Sequence, residues 1–249
     1  MAAGVAAAGL AAAMPAFAET GRETGPVAVV ELFTSQGCSS CPPADALLGR
    51  LSDREGVVAL TFNVDYWDYL GWKDTLGSPL FTKRQRDYAQ SRGDGQVYTP
   101  QMVINGREHF VGSREMEVRQ EIEAELARPA DSFVPISMEH RGKELTIHVG
   151  AAPGGGPVPE ATVWVAMVMP RTAVDIARGE NGGRELTYYN VVRRLVPAGM
   201  WSGEPVTVTL PAEELMDDKA TECAALLQAD GGGPILGATA VTALGASNP

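Results

Sequence analysis

A chain of 249 residues with 45% hydrophobic content is long enough for one large folded domain or two ordinary ones. Asp and Glu number 31 against 20 Lys and Arg, a formal net charge of -11, and no basic cluster offsets that balance locally. Binding to nucleic acid or an anionic membrane needs a basic surface, so this composition argues against both.

The opening "MAAGVAAAGLAAAMPAFAET" reads as an export signal. An Ala-rich apolar run of roughly 14 residues ends at Pro15, and Ala16-Phe17-Ala18 is the small-x-small pattern that signal peptidase accepts. The first charged side chain is Glu19, so a basic n-region is missing and a start upstream of Met1 is expected. On this reading residues 1–18 are a signal peptide and the mature protein works in an oxidising space, periplasmic or secreted. No later run is apolar enough over a sufficient length to span a bilayer, so no stable membrane insertion is expected after signal removal.

After a polar lead, "VAVVELF" is dense in β-branched residues and reads as a buried strand. From Cys41 a helix is expected: Pro42 and Pro43 suit a first turn, and Leu47, Leu48 and Leu51 share one face. A second strand, "GVVALTFNVD", leads into the aromatic segment "YWDYLGWKDTLGSP". The helix "FTKRQRDYAQSR" then runs to the break "GDG". "QVYTPQMVINGREHFVG" reads as two short strands joined at Asn105-Gly106, a strong hairpin signal. The helix "SREMEVRQEIEAELAR" follows, with Ser113 placed to cap it. Strand, helix, strand, helix, strand, strand, helix describes an α/β, thioredoxin-like domain over residues 26–128, with Pro129-Ala130-Asp131 as linker. Residues 132–249 change texture. Short alternating or apolar runs separated by Gly, Pro and Asn predict a mostly antiparallel, sandwich-like β domain.

"ELFTSQGCSSCPPADALLGRL" places Cys38 and Cys41 where a strand gives way to a helix. Free backbone N–H groups and the helix dipole at such a place favour a thiolate, so Cys38 is expected to be the exposed, attacking sulfur. Cys41, one turn later, is placed to resolve a mixed disulfide. Asp45 follows in the first helical turn, where a carboxylate complements the dipole. Zinc knuckles share the CxxC spacing, so position rather than spacing carries the redox reading.

A second element, "VYTPQMVING", carries the resemblance to thioredoxins and glutaredoxins. In those folds a Thr- or Val-containing loop before a cis-proline faces the CxxC. The resemblance implies that Pro100 is cis, that Thr99 offers its backbone to an incoming chain, and that Tyr98 belongs to the same platform. With "DYWDYLGWKD" and "GENGGRELTYYNVVRRL", nearly all of the mature chain resembles DUF1223, a bacterial family of secreted thioredoxin-like proteins. That resemblance implies the fold of the first domain and an additional C-terminal domain, and no substrate. Two features depart from thioredoxin: Gln36-Gly37 stand where a Trp is usual, and Ser39-Ser40 separate the cysteines. Two hydroxyls there favour the reduced form and a more oxidising couple.

The aromatic segment adds Trp67 as a substrate-binding candidate, beside Tyr66 and Trp72, and Asp65 or Asp68 as the proton acceptor for Cys41. Capping of the sheet is the alternative role for these side chains. His109, His140 and His148 stand at no ligand spacing from one another, so no metal or other cofactor is expected. His109 alone could complete a copper-type site with the cysteines. Cys223, followed by an apolar run, reads as a buried inert thiol. Tyr188, Tyr189, Asn190, Arg193 and Arg194 either brace the two domains or bind a partner. The reading is an exported thiol–disulfide oxidoreductase acting on protein thiols and disulfides. The alternative is a non-enzymatic binding or adaptor protein on the same fold, capturing copper or zinc through the CxxC.

Overall fold

The computed structural model describes residues 27–155, 158–215 and 219–244. The signal-like segment, residues 1–18, lies outside the described residues. The N-terminal half runs β1 (Ala28–Thr34), α1 (Pro42–Leu51), β2 (Val57–Asn63), α2 (Pro79–Arg92), β3 (Gln101–Ile104), β4 (Glu108–Val111) and α3 (Glu115–Leu126). This is the order of elements read from the sequence. β1 pairs parallel with β2 and antiparallel with β3, and β3 pairs antiparallel with β4.

Strand alternation decides what covers each face of this sheet. Ala28, Val30 and Leu32 of β1 point to the side covered by α1 and α3, against Leu47, Leu48, Leu51, Val118 and Ile122. Val29 and Phe33 point the other way, against Phe81 and Tyr88 of α2. α1 starts on two prolines, whose missing N–H groups cost nothing in a first turn. For α2, the Ser78 side chain accepts from the Leu80 amide at the start, and Gly93 closes the other end at φ 76°. α3 differs from expectation: it begins after Arg114 without a side-chain cap, so Ser113 does not cap it.

The β3–β4 turn is fastened to β1 through Asn105, which is buried at φ 47°. Its Oδ1 accepts the Val29 amide at 2.7 Å, and its Nδ2 donates to the Val27 carbonyl and to Glu125. Asn105→Ala leaves the Val29 N–H and the Val27 carbonyl without these partners. The expected loss is about 2–3 kcal/mol of unfolding free energy, read by urea denaturation. A loss under ~0.5 kcal/mol would show that the turn is held by other contacts.

The C-terminal half contributes β5 (Ile136–Arg141), β6 (Glu144–Val149), β7 (Ala161–Ile176), β8 (Arg184–Trp201), β9 (Val206–Pro211), β10 (Glu222–Ala229), β11 (Ile235–Ala238) and β12 (Thr242–Ala243). β5, β6 and β9 form a three-stranded antiparallel sheet, and Ile136, Leu145, Ile147 and Val149 pack on Val163, Val165, Ala225 and Leu227 of β7 and β10. Two layers therefore meet here face to face. β7 and β8 are not short: they form a hairpin of 16 and 18 residues.

That hairpin also alters the expected division into separate sheets. Among the described residues, one sheet runs in the order β11-β10-β7-β8-β2-β1-β3-β4, with β12 on β10. β8 meets β2 through a single parallel bridge, Thr61 to Val191. Side chains supply what the ladder lacks: Thr61 Oγ1 donates to the Tyr189 carbonyl, and Asn190 Nδ2 donates to the Ala59 carbonyl. Asn190 adopts φ 44°, a conformation in which Asn is among the better tolerated residues. Gly49 of α1 admits the Tyr189 ring: a Cβ there would lie 2.6 Å from ring carbons. The fold is thus mixed α/β, dominated by large, mostly antiparallel sheets.

A buried ion pair within the N-terminal half also reaches across to the C-terminal half through one hydrogen bond. Arg84 of α2 donates from Nε and Nη2 to the two carboxylate oxygens of Glu31 at 3.0 and 2.6 Å, from Nη2 to Tyr88 Oη, and from Nη1 to Gln228 of β10. Glu31 is wholly inside the protein. Burial, the largest influence, lowers the guanidinium's pKa, but the charge and hydrogen bonds of Glu31 together with Tyr88 and Asp87 outweigh it and hold the group above its ordinary value.

Candidate functional site

β1 ends at Thr34, and the chain turns through buried Ser35, Gln36 and Gly37 into Cys38. Cys38 and Cys41 form a disulfide across a Cα–Cα separation of 5.4 Å, with exposed Ser39 and Ser40 between them. Such a bond suits an oxidising, exported compartment. The expected exposure of Cys38 is not found: Cys38 is 2% exposed and Cys41 is fully buried. Free amides around the sulfurs are also scarcer than the strand–helix junction suggested. Pro42 and Pro43 have none, and those of Ala44 and Asp45 both donate to the Cys41 carbonyl. The Ser40 hydroxyl stands 3.4 Å from Cys38 Sγ.

Gln36 organises the turn. Its amide donates to Asp74 Oδ2 at 2.8 Å, and its side-chain oxygen accepts from Trp72 Nε1 and the Thr75 amide. Its carbonyl accepts from Asn181 Nδ2 at 2.9 Å, and the same nitrogen donates to the Cys38 carbonyl at 3.0 Å. Asn181 lies in the β7–β8 turn and is wholly buried. Its neighbour Glu180 accepts the Ser39 amide at 3.2 Å. Of the two roles read for "GENGGRELTYYNVVRRL", bracing describes Asn181, Tyr189 and Asn190. Arg193 and Arg194 instead line a groove of about 1130 Å³ between α2 and the ends of β7, β8 and β10.

Trp67 connects the cysteine turn to the proline loop. A Cβ on Gly37 would touch the Trp67 Cβ at 3.0 Å, while Trp67 Nε1 donates to Thr99 Oγ1 at 2.8 Å. The Thr99–Pro100 peptide bond is cis. Pro100 is buried beside Gly112, in a place also bordered by Ala44 of α1 and Leu32 of β1. Cys38, Trp67, Thr99 and Pro100 therefore gather at the end of β1 where α1 begins. Tyr98 faces away into a different cluster. Its hydroxyl lies 2.8 Å from His109 Nδ1, and His109 Nε2 lies 3.2 Å from Asp94. His109 is committed there, and among the described residues no three His, Cys, Asp or Glu side chains are grouped to hold a metal ion.

Asp65 accepts from the Thr82 hydroxyl, and Asp68 accepts the Asp74 amide. Asp45, one turn after Cys41, is a buried carboxyl, 4% exposed. Desolvation pushes its pKa up to about 8; the Thr34 hydroxyl opposes the rise and Asp74 adds to it. Asp45 is therefore a mostly neutral acid at pH 7, not a solvated helix-end charge. Its Oδ2 is buried with no hydrogen-bond partner. Asp74 is shifted upward too, by burial, against the amides of Gln36 and Leu76 and the side chain of Asn63. The Tyr188 hydroxyl is buried without a hydrogen-bond partner, and burial, then Asp45 and Asp74, raises its phenol. Two buried carboxyls and a buried phenol, close enough to shift one another, thus back the cysteine turn. Glu180 and Asn181 belong to the Gly-rich β7–β8 turn, but nothing in it, or in a lone Asp74, announces which residues each will touch. Cys223 is buried beside Met138, and desolvation pushes its thiol up to about 12, in keeping with an inert side chain.

Residues 29–228 match the family described as "Protein of unknown function (DUF1223)". The chain is similar to the X-ray crystal structure of protein AGR_C_4864 from Agrobacterium tumefaciens: 38% identity, a TM-score of 0.75, and coverage of 89% of this chain and 96% of that one. It is similar in fold alone to HBP35 of Porphyromonas gingivalis, at 14% identity and a TM-score of 0.60, covering 90% of this chain and 77% of that one. No curated protein matches the chain.

Proposed function

This chain belongs to the DUF1223 family, and we propose that it is an exported thiol–disulfide oxidoreductase built on a thioredoxin-like N-terminal half. The observation that carries the reading is the gathering of the Cys38–Cys41 disulfide, Trp67 and the cis Thr99–Pro100 bond at one end of the sheet. The strand order β2-β1-β3-β4, with β3 antiparallel to β1, supports the thioredoxin-like assignment. No helix among the described residues is long and apolar enough to cross a membrane.

In the reductive direction, the Cys38 thiolate attacks one sulfur of a protein disulfide, and the other sulfur leaves as a thiolate. The Cys41 thiolate then attacks Cys38 Sγ, re-forming the internal disulfide and releasing the second substrate thiol. Two electrons pass from the cysteine pair to the substrate. The oxidative direction is the reverse. Asp45, on the inner side of α1 one turn after Cys41, accepts the Cys41 proton in its ionised form, the minor one at pH 7, and a pKa close to the working pH suits that exchange. Thr99 and Pro100 hold the substrate backbone beside Cys38 as a short antiparallel segment. Partners are protein thiols and disulfides in a periplasmic or secreted setting.

The test is Cys41→Ser in the full chain carried through export. Mixed disulfides with other exported proteins are expected to accumulate on Cys38, to be released by dithiothreitol, and to be missing from the Cys38→Ser, Cys41→Ser double variant. Absence of such adducts, together with a purified native protein that reduces no model disulfide, would sink the reading.

A further inference from the structure

The chemistry proposed above requires Cys38 to meet a second molecule, yet Cys38 is 2% exposed. Besides Asp74, which accepts the Gln36 amide, the side chains from elsewhere in the chain fastened to the backbone around it are Asn181 and Glu180 of the β7–β8 turn, residues 177–183. Asn181 satisfies its whole amide there: Nδ2 donates to the carbonyls of Gln36 and Cys38, and Oδ1 accepts from Arg184 Nη1 at 2.8 Å. The turn is closed on itself by Gly182 N to the Gly179 carbonyl and Gly183 N to the Ile176 carbonyl. Gly179, at φ 79°, sits against Trp72, where a Cβ would come within 3.3 Å of the Trp72 Cβ. Trp72 in turn donates to Gln36. The turn thus engages the cysteine loop directly and through a Trp.

We propose that the β7–β8 turn controls the Cys38–Cys41 couple. Asn181 fixes the backbone that keeps Cys38 covered, and the Glu180 carboxylate on the Ser39 amide disfavours the reduced form. The inference rests on the oxidoreductase reading and assigns its regulation. Asn181 and Glu180 are positioning residues: they act through the loop and its charge, without touching either sulfur.

The electrostatic part follows from where donors are scarce. Two prolines open α1, the next two amides are spent on Cys41, and Glu180 occupies the Ser39 amide. A carboxylate at the N-terminal side of the helix competes with a Cys38 thiolate for the same dipole. Reduction converts the disulfide into two thiols and takes up two electrons and two protons. With glutathione as reductant, two glutathione thiols become one glutathione disulfide. Any stabilisation of the Cys38 thiolate draws this exchange toward the reduced protein. The other ionisable groups nearby are Arg184, Asp45 and Asp74, and Glu180→Gln leaves all three in place.

Glutathione exchange on the full mature chain tests both parts. E180Q is expected to move the equilibrium toward the reduced protein by about two- to fivefold, the scale of one charge at a helix end. N181A is expected to speed reduction of the disulfide by about tenfold, the scale of two lost hydrogen bonds. Folded variants that exchange like the native protein overturn the inference. Should N181A fail to fold, E180Q decides alone, because it keeps the shape of the side chain. A native disulfide that does not exchange, with nothing trapped by Cys41→Ser, sinks the oxidoreductase reading and this inference with it. Native exchange with unmoved variants sinks only the control by the turn.

Discussion

Asp45→Asn is expected to make the protein more stable and a poorer catalyst. The folded carboxyl keeps its proton up to about pH 8, whereas an unfolded chain releases it near the ordinary 3.8. Between those limits the folded state binds more protons, so stability from this group is full below pH 4 and is lost as pH rises through 8. At pH 7 the accumulated cost is on the order of 2–4 kcal/mol, which a neutral amide of the same shape avoids. Denaturation midpoints across pH 4–9 should therefore fall for the native protein and stay flatter for the variant. An unchanged profile would show that Asp45 ionises freely inside the fold. Catalysis is expected to move the other way. Without a proton acceptor beside Cys41, resolution of the mixed disulfide should slow by roughly a hundredfold, the lower end of what general bases contribute. A rapid-quench measurement of adduct decay reads that step directly.

Arg84→Ala is expected to cost about 3–5 kcal/mol in urea denaturation, because it strands Glu31 inside the protein without a partner. Loss of the stacked guanidinium over the Phe62 and Tyr88 rings adds to the effect. The double variant Glu31→Leu, Arg84→Met removes both charges and fills the space with apolar volume, so it should regain most of the loss. If the double variant is as unstable as the single one, the cost lies in Arg84's bonds to Tyr88 and Gln228 rather than in the orphaned carboxylate.

What could be read in the sequence was local. The β-branched density of "VAVVELF", the prolines after Cys41 and the Asn105-Gly106 turn each carry their meaning within a few residues. β1, α1 and the β3–β4 hairpin were legible for that reason. The CxxC pair and the proline loop were legible as a constellation that the family resemblance supplied. Long-range features were not. β8 joins β2 by one bridge, and no pattern in "ELTYYNVVRRL" names a partner far upstream. Burial of Cys38 was hidden for the same reason, since Asn181 bonds its carbonyl across 143 positions. Asp45 looked like an ordinary first-turn acid because Asp is common there. Only the closure of α1 against β1 and β8 turns it into a neutral one.

The seam between β2 and β8 also shapes how the molecule is made. A chain that emerges N-terminus first offers the outer edge of β2 long before its partner exists, since Tyr189 follows Thr61 by 128 positions. An unpaired strand edge is a template for pairing with any other chain in reach. A half-delivered molecule, or one cut between β4 and β7, is therefore the sticky form. Its solubility depends on how soon β8 arrives to close the edge.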